Sequence, residues 1–332
     1  MNPVRIHPFG TRTPAASPSK FALLPQRIAV AVVAIPIILW LAMKGGYWFF
    51  AFVSVASALT LDEFYRLAEA KGAHPLRWLG MAGGFVVNLA FIYERLQVDV
   101  YELFLSWGIR LGMFSQHQFL SVALIVILLT VLLVELFRKS GSPLANVGAT
   151  LSGLLVVSLC FGTLIFTREL FPYGFPVHKF FPNAFADGVQ FEQINRWGGF
   201  TIVALFLSIW VCDTAAYFGG LTFGKHRLFE RVSPQKSWEG ALFGLVFAIL
   251  AFVAAKIVVL EYLAFHHAII LGTCVGVFGQ LGDLVESRFK RDAGVKDSSA
   301  LLPGHGGVYD RFDSLVFLSP IIYLYIDFIV LS

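Results

Sequence analysis

Charge is what this chain has least of. Lys, Arg, Asp and Glu make up 14% of its 332 residues while 57% are hydrophobic, against a charged share of about 25% in ordinary soluble domains. With a mean hydropathy of +0.74, that scarcity excludes a water-soluble globular fold. Cysteine is scarce as well: Cys160, Cys212 and Cys274 each fall inside an apolar run and form no CxxC pair, which argues against a disulfide framework or a thiolate metal site. Internal repeats and low-complexity blocks are missing too. The net charge of +4 gives no reason to expect a nucleic-acid partner.

Long apolar runs, by contrast, are abundant. A helix crosses hydrocarbon in roughly 17 to 25 residues, and nine runs approach that length, near 27–43, 47–64, 77–93, 118–137, 146–167, 198–220, 238–260, 266–286 and 312–331. The expectation is an all-α, polytopic integral membrane protein of about nine transmembrane helices. The first run contains Pro36 and the third Gly83 and Gly84, the two weakest candidates. A signal peptide is disfavoured because Leu41-Ala-Met-Lys44 offers no small-residue cleavage site and the run exceeds the usual h-region. Residues 1–20 read as a flexible tail, 21–197 as an N-terminal transmembrane region with an outside or re-entrant loop at 169–197, and 198–332 as the catalytic transmembrane region.

With the N-terminus in the cytoplasm, 18 Lys and Arg residues fall on the inside and seven on the outside, as the positive-inside rule requires. Both polar motifs described below then face the cytosol, where nucleotides are available. The expected location is the inner (cytoplasmic) membrane, with the lipid bilayer itself as a partner.

Against this sparse background the stretch from Asp283 to Asp313 holds six acids and five Lys or Arg residues. Such density needs a ligand or water. Asp283, Glu286, Ser287 and Lys290 are spaced three and four apart and share a helical face; the bland reading of Glu286 to Arg291 is a solvated helix end. Asp283, at the edge of the apolar run, needs a cation or a basic partner. Further on, Gly304, Gly306 and Gly307 free backbone N–H groups to face an anion, while Asp310, Arg311 and Asp313 begin the last helix. Asp310 is read as a ligand, with Asp283, of one divalent ion in preference to a helix cap. Asp313 is either capping, an outer partner of that site, or ligand to a second ion. Carboxylates, phosphate-binding basic residues and glycines together point to metal-assisted phosphoryl chemistry at a membrane surface.

A second constellation precedes it. Asp213, Tyr217 and Gly220 form a stripe on the sixth run; Gly219 and Gly220 read as helix-packing positions. Lys225, Ser233, Lys236, Ser237 and Glu239 follow on the next inside loop. Hydroxyls beside an ammonium suit a triphosphate, although Lys225 and Lys236 also serve simply to orient the chain.

The run Ser287-Arg-Phe-Lys290-Arg291, Lys296-Asp297 and His305-Gly306-Gly307-Val-Tyr-Asp310-Arg311-Phe-Asp313 resembles the signature of phosphatidate cytidylyltransferases, the CDP-diacylglycerol synthases. Asp213 to Tyr217 and Ser233 to Gly240 are similar to that family's second motif region, and Glu63 in Asp62-Glu-Phe-Tyr is a further family-like position. The resemblance implies that CTP and phosphatidate yield CDP-diacylglycerol and pyrophosphate with Mg²⁺, one or two divalent ions and possible help from a monovalent one, and it admits a homodimer. Lys236, Lys290, Arg291, Lys296 and Arg311 would then hold phosphates, and His305 would contact phosphate or shape the backbone in preference to acting as a base. Two rivals stand beside it: a CTP-dependent polyprenol or phytol kinase, and an ion-coupled transporter using Asp213 and Asp283.

Overall fold

A computed structural model describes residues 24–110, 112–181, 188–301 and 306–332. Ten helices dominate it: α1 Leu24–Lys44, α2 Gly46–Glu69, α3 Arg77–Phe91, α4 Tyr93–Ser106, α5 Gln116–Leu136, α6 Pro143–Gly174, α7 Gly188–Phe223, α8 Trp238–Val258, α9 Phe265–Asp292 and α10 Tyr309–Val330. A single helical turn, Val177–Phe180, lies between α6 and α7. The one sheet among the described residues is a hairpin, β1 Arg227–Phe229 paired antiparallel with β2 Ser233–Ser237.

All nine apolar runs lie on helices, but six of these helices, α5 to α10, are long and apolar enough to cross a membrane. The other three, α1 to α3, lie outside that set. Helix α1 has 21 residues, of which Val30–Lys44 form its apolar stretch among the described residues, and α3 has 15 residues, about 22 Å at 1.5 Å per residue. The second half of α2 carries Asp62, Glu63 and Arg66, which lower its hydropathy. Two elements have no counterpart in the apolar runs: α4, which joins α3 to α5, and the hairpin. Among the described residues of the loop expected at 169–197 most are helical, since α6 runs on to Gly174 and α7 begins at Gly188. The tail at 1–20 lies outside the described residues.

One continuous core runs from Ala42 to Leu331. Its centre is α6 and α7, whose most apolar stretches are 56% and 50% buried, whereas those of α5 and α8 are 22% and 17% buried and turn their apolar faces outward. Helices α7 and α8 approach closely through small residues spaced by four. A side chain on Gly240 would meet the Ala216 carbonyl at 2.6 Å, and one on Gly244 would meet the Cys212 carbonyl at 3.1 Å. Van der Waals contact and interhelical hydrogen bonds replace the hydrophobic drive that lipid lacks; Ser208 Oγ donates one to the Ala248 carbonyl at 3.0 Å.

At the end of the bundle away from the polar motifs, buried Arg168 donates to the carbonyls of Ala42 and Met43 and to Asn195. It thereby satisfies carbonyls left open at the end of α1. Glu169 accepts from the Gly46 N–H and from Arg95, fixing the start of α2. About 25 Å along α2, at 1.5 Å per residue, Glu63 reaches the start of α10.

Candidate active site

The site is built where α9 and α10 leave the core. Within α9, Val275–Gly279 form a π turn, which shifts the register of the residues beyond it. Gln280 Nε2 donates to the Gly276 carbonyl at 2.6 Å and to the Ala241 carbonyl of α8 at 3.0 Å, satisfying buried carbonyls beside the irregular turn. The helix continues to Asp292. Asp283 and Glu286 thus face α10, where Gly282 lies against Asp313 and Ser314 so closely that an added Cβ would sit 2.9 Å from the Asp313 carbonyl.

Three carboxylates converge here. One oxygen each from Asp283, Glu286 and Asp313 lies within 4.8 Å of the others. Glu286 is 1% exposed; its Oε1 is buried without a hydrogen-bond partner, and its Oε2 meets the Lys290 ammonium at 2.6 Å. An oxygen-only donor set with an unsatisfied buried carboxylate fits a hard divalent cation such as Mg²⁺, whose opposite ligands stand about 4.2 Å apart. Asp213 of α7, exposed at this surface, lies within electrostatic reach of Asp283, Lys236 and Arg311. Asp313 interacts in the same way with Asp283 and Asp213.

Cations offset this charge. Lys236 at the end of β2 meets Asp283 Oδ2 at 2.5 Å, and Lys290 bridges Glu286 and Asp310, the latter at 2.5 Å. Among the described residues, Arg311, Lys225 and Lys296 are exposed and enter no ion pair.

Asp310, expected to share an ion with Asp283, is not one of the three carboxylates that converge. It sits in the first turn of α10 and is directed back toward the preceding loop. Its Oδ1 takes Lys290, while Oδ2 accepts from the N–H of Ser298 and Gly307 and from Ser298 Oγ at 2.7–3.0 Å. Glu286 occupies the place beside Asp283 that the spacing had assigned to Asp310. The amide cradle expected around Gly306 and Gly307 is likewise filled from within the protein. Gly307 N–H goes to Asp310, and the N–H groups of Val308 and Tyr309 donate to Glu63 at 2.9 and 2.8 Å. Gly306 turns the chain with φ +80°, a left-handed conformation that glycine adopts without strain.

Several other expected residues have local structural partners. Ser237 caps α8, its Oγ accepting from Gly240 N–H at 3.2 Å. Glu239 accepts from the N–H groups of Lys225 and His226 and pairs with the His226 ring at 2.6 Å, anchoring the hairpin. Ser287 donates to Asp283 at 3.3 Å, which orients that carboxylate. Arg291 donates to the Val295 carbonyl. Tyr217, Lys296 and Asp297 are exposed, and Ser233 opens β2 half-buried. Gly219 and Gly220 are packing positions, facing Phe243 and Gly240. His305 lies outside the described residues.

The residue that sequence reasoning undervalued is Glu63. It is 3% exposed and accepts four hydrogen bonds, from Ser298 Oγ, Ser299 Oγ and the two amides that open α10. The available signal was an acid among apolar residues in α2, a position that demands a partner.

Comparison with known proteins gives the family. The model of the cytidylyltransferase family matches residues 25–329. A phosphatidate cytidylyltransferase of Synechocystis is 32% identical over 311 residues, covering 91% of this chain and 96% of that protein. That of Bacillus subtilis is 28% identical over 300 residues, covering 90% and 96%. That of Haemophilus influenzae reaches 45% over 136 residues, covering 37% and 44%. With the match running through every helix that builds the acidic cluster, the chain belongs to the cytidylyltransferase family.

Proposed function

We propose that the chain is a membrane-embedded phosphatidate cytidylyltransferase, joining CTP and phosphatidate to give CDP-diacylglycerol and pyrophosphate. The observation that carries the chemistry is the oxygen-only cluster of Asp283, Glu286 and Asp313 at the exit of two apolar helices, with Lys236 and Arg311 beside it. Phosphatidate's phosphate is already anionic near neutral pH, so one of its oxygens attacks the α-phosphorus of CTP without a strong general base. The bond to the β-phosphate oxygen breaks, and pyrophosphate leaves with that electron pair. The main obstacle is repulsion between anions. Bound by Asp283, Glu286 and Asp313, Mg²⁺ would supply charge neutralisation and orientation of phosphate oxygens.

The chain's own groups do the rest. Arg311 and Lys236 hold phosphate oxygens, and Lys290 keeps Glu286 of the cluster and Asp310 behind it from repelling each other. Ser287 orients Asp283, and the Glu239 anchor keeps the hairpin that carries Lys236 in place. The acyl chains stay in lipid, which explains why the site sits at a helix exit. The positive-inside distribution supports a cytoplasmic N-terminus and a site on the cytoplasmic face of the inner membrane, with α1 to α3 completing nine traverses.

The test is turnover by purified, detergent-solubilised protein given phosphatidate, Mg²⁺ and CTP labelled at the α-phosphate. Label should appear in a CDP-lipid, with unlabelled pyrophosphate released. Folded protein that leaves the lipid unlabelled across several phosphatidates, or that moves the γ-phosphate to a lipid alcohol, refutes the assignment.

A further inference from the structure

A chain of polar contacts connects α2 to the acidic cluster. Glu63 Oε2 accepts from Ser298 Oγ at 2.7 Å, and the same hydroxyl lies 3.0 Å from Asp310 Oδ2. Asp310 Oδ1 holds Lys290 Nζ at 2.5 Å, and that ammonium lies 2.6 Å from Glu286 Oε2. One ammonium is therefore divided between a carboxylate of the cluster and a carboxylate outside it. Glu63 sets the second of these, because four of its contacts fix the 298–299 and 308–309 segments on either side of Asp310. Packing encloses the junction: Phe64 meets Phe289 edge-on at 5.8 Å, and Tyr309 lies beside it. Gly307 leaves no spare volume, since a Cβ there would stand 2.4 Å from Glu63 Oε2.

We propose that Glu63 is a positioning residue for the cation site. By holding Ser298 and the start of α10, it keeps Asp310 where it draws Lys290 part of the way off Glu286, leaving that carboxylate open to a divalent ion. This inference rests on the reading that Asp283, Glu286 and Asp313 hold such an ion. When the Glu63 hold is lost, Asp310 is free to swing out; Lys290 then has Glu286 as its remaining close partner and competes with the ion for it. The effect is a loss of ion affinity at unchanged ligand identity, of the size that outer-shell partners of metal ligands exert, about tenfold.

The experiment measures Mn²⁺ binding by electron paramagnetic resonance on full-length protein in detergent, without nucleotide or lipid. Wild type, Asp283→Asn, Glu63→Gln and Ser298→Ala are compared, and amide hydrogen exchange of Val308 and Tyr309 is followed in parallel. In Glu63→Gln one acceptor oxygen becomes a donor, so one of those amides exchanges faster. The expected result is Mn²⁺ bound by wild type, lost in Asp283→Asn, and weakened about tenfold in Glu63→Gln and Ser298→Ala. Wild-type affinity in both latter variants, with loss in Asp283→Asn, overturns the positioning role and leaves the cation cluster standing. Wild-type affinity in Asp283→Asn overturns the cluster itself. Ser298→Ala removes only a hydroxyl, and it decides the question if Glu63→Gln does not fold.

Discussion

Lys290→Met tests the electrostatics of the site most directly. Methionine keeps the apolar stem of lysine and removes the ammonium that lies between Glu286 and Asp310. The side chains of the three residues are 10%, 1% and 5% exposed, so solvent does little to screen the two carboxylates left behind. Removing one partner of a buried ion pair costs about 3–5 kcal/mol. Even about 3 kcal/mol corresponds to a roughly 150-fold fall in the folded-to-unfolded ratio, at about 1.36 kcal/mol per decade. Asp310 would retain its contacts with Ser298 and Gly307, so most of the penalty falls on Glu286, whose Oε1 already lacks a hydrogen bond. The assay is unfolding in mixed micelles, followed by tryptophan fluorescence, for Lys290→Met, Asp310→Asn and the double variant. Because the two residues touch, the double variant should recover at least about 1 kcal/mol relative to the sum of the singles. Added Mg²⁺ should stabilise Lys290→Met more than wild type, since it supplies charge to the same acids. A loss below about 1 kcal/mol, the scale of an exposed pair, together with additive singles, would refute the claim that Lys290 is a buried counter-charge.

Four further outcomes follow from the same geometry. Asp283→Asn and Asp313→Asn should each abolish CDP-lipid formation while the protein elutes as a folded species in size-exclusion chromatography; near-normal turnover in either removes that residue from the cluster. Gly307→Ala places a Cβ 2.0 Å from Ser298 Oγ, and overpacking of this kind costs about 1–3 kcal/mol, so the thermal midpoint should fall; an unchanged midpoint would contradict the tight junction around Glu63. Ser237→Ala should lose about 1 kcal/mol of stability as a helix cap with KM for CTP unchanged, whereas a raised KM at wild-type stability would return Ser237 to the nucleotide. Arg311→Gln, at an exposed residue without an ion pair, should raise KM for CTP or phosphatidate and leave thermal unfolding where it was; lowered stability with wild-type KM would count against phosphate binding.

Legibility differed from residue to residue. The face shared by Asp283, Glu286, Ser287 and Lys290 could be read from spacing because α-helical periodicity is a local property, and the helix does continue past Lys290. The small-residue character of Gly219 and Gly220 was readable for the same reason. Asp310 was harder: its position three residues before Asp313 suggests a shared role, yet one of its oxygens turns to Ser298 and Gly307 and the other to Lys290, while Asp313, a turn deeper, joins Asp283 and Glu286. Spacing does not distinguish the two, since the distinction depends on where Ser298 and Gly307 come to lie. Ser237 and Glu239 looked suited to phosphate, but the start of α8 and the hairpin have a prior need for those groups, because open N–H donors at a helix start or turn must find acceptors.

By itself the sequence determined that this protein lives in a bilayer, that its nine apolar runs are helical and where its polar motifs emerge, because hydropathy and periodicity act over a single helix length. Only the tertiary structure decided that Glu286, and not Asp310, stands with Asp283 and Asp313, and that Glu63 closes the start of α10 across 245 and 246 residues of chain. Those choices depend on how close α7, α8, α9 and α10 can pack and on which buried donor each carboxylate meets first. Such distances are properties of the folded whole, and no window of the sequence contains them.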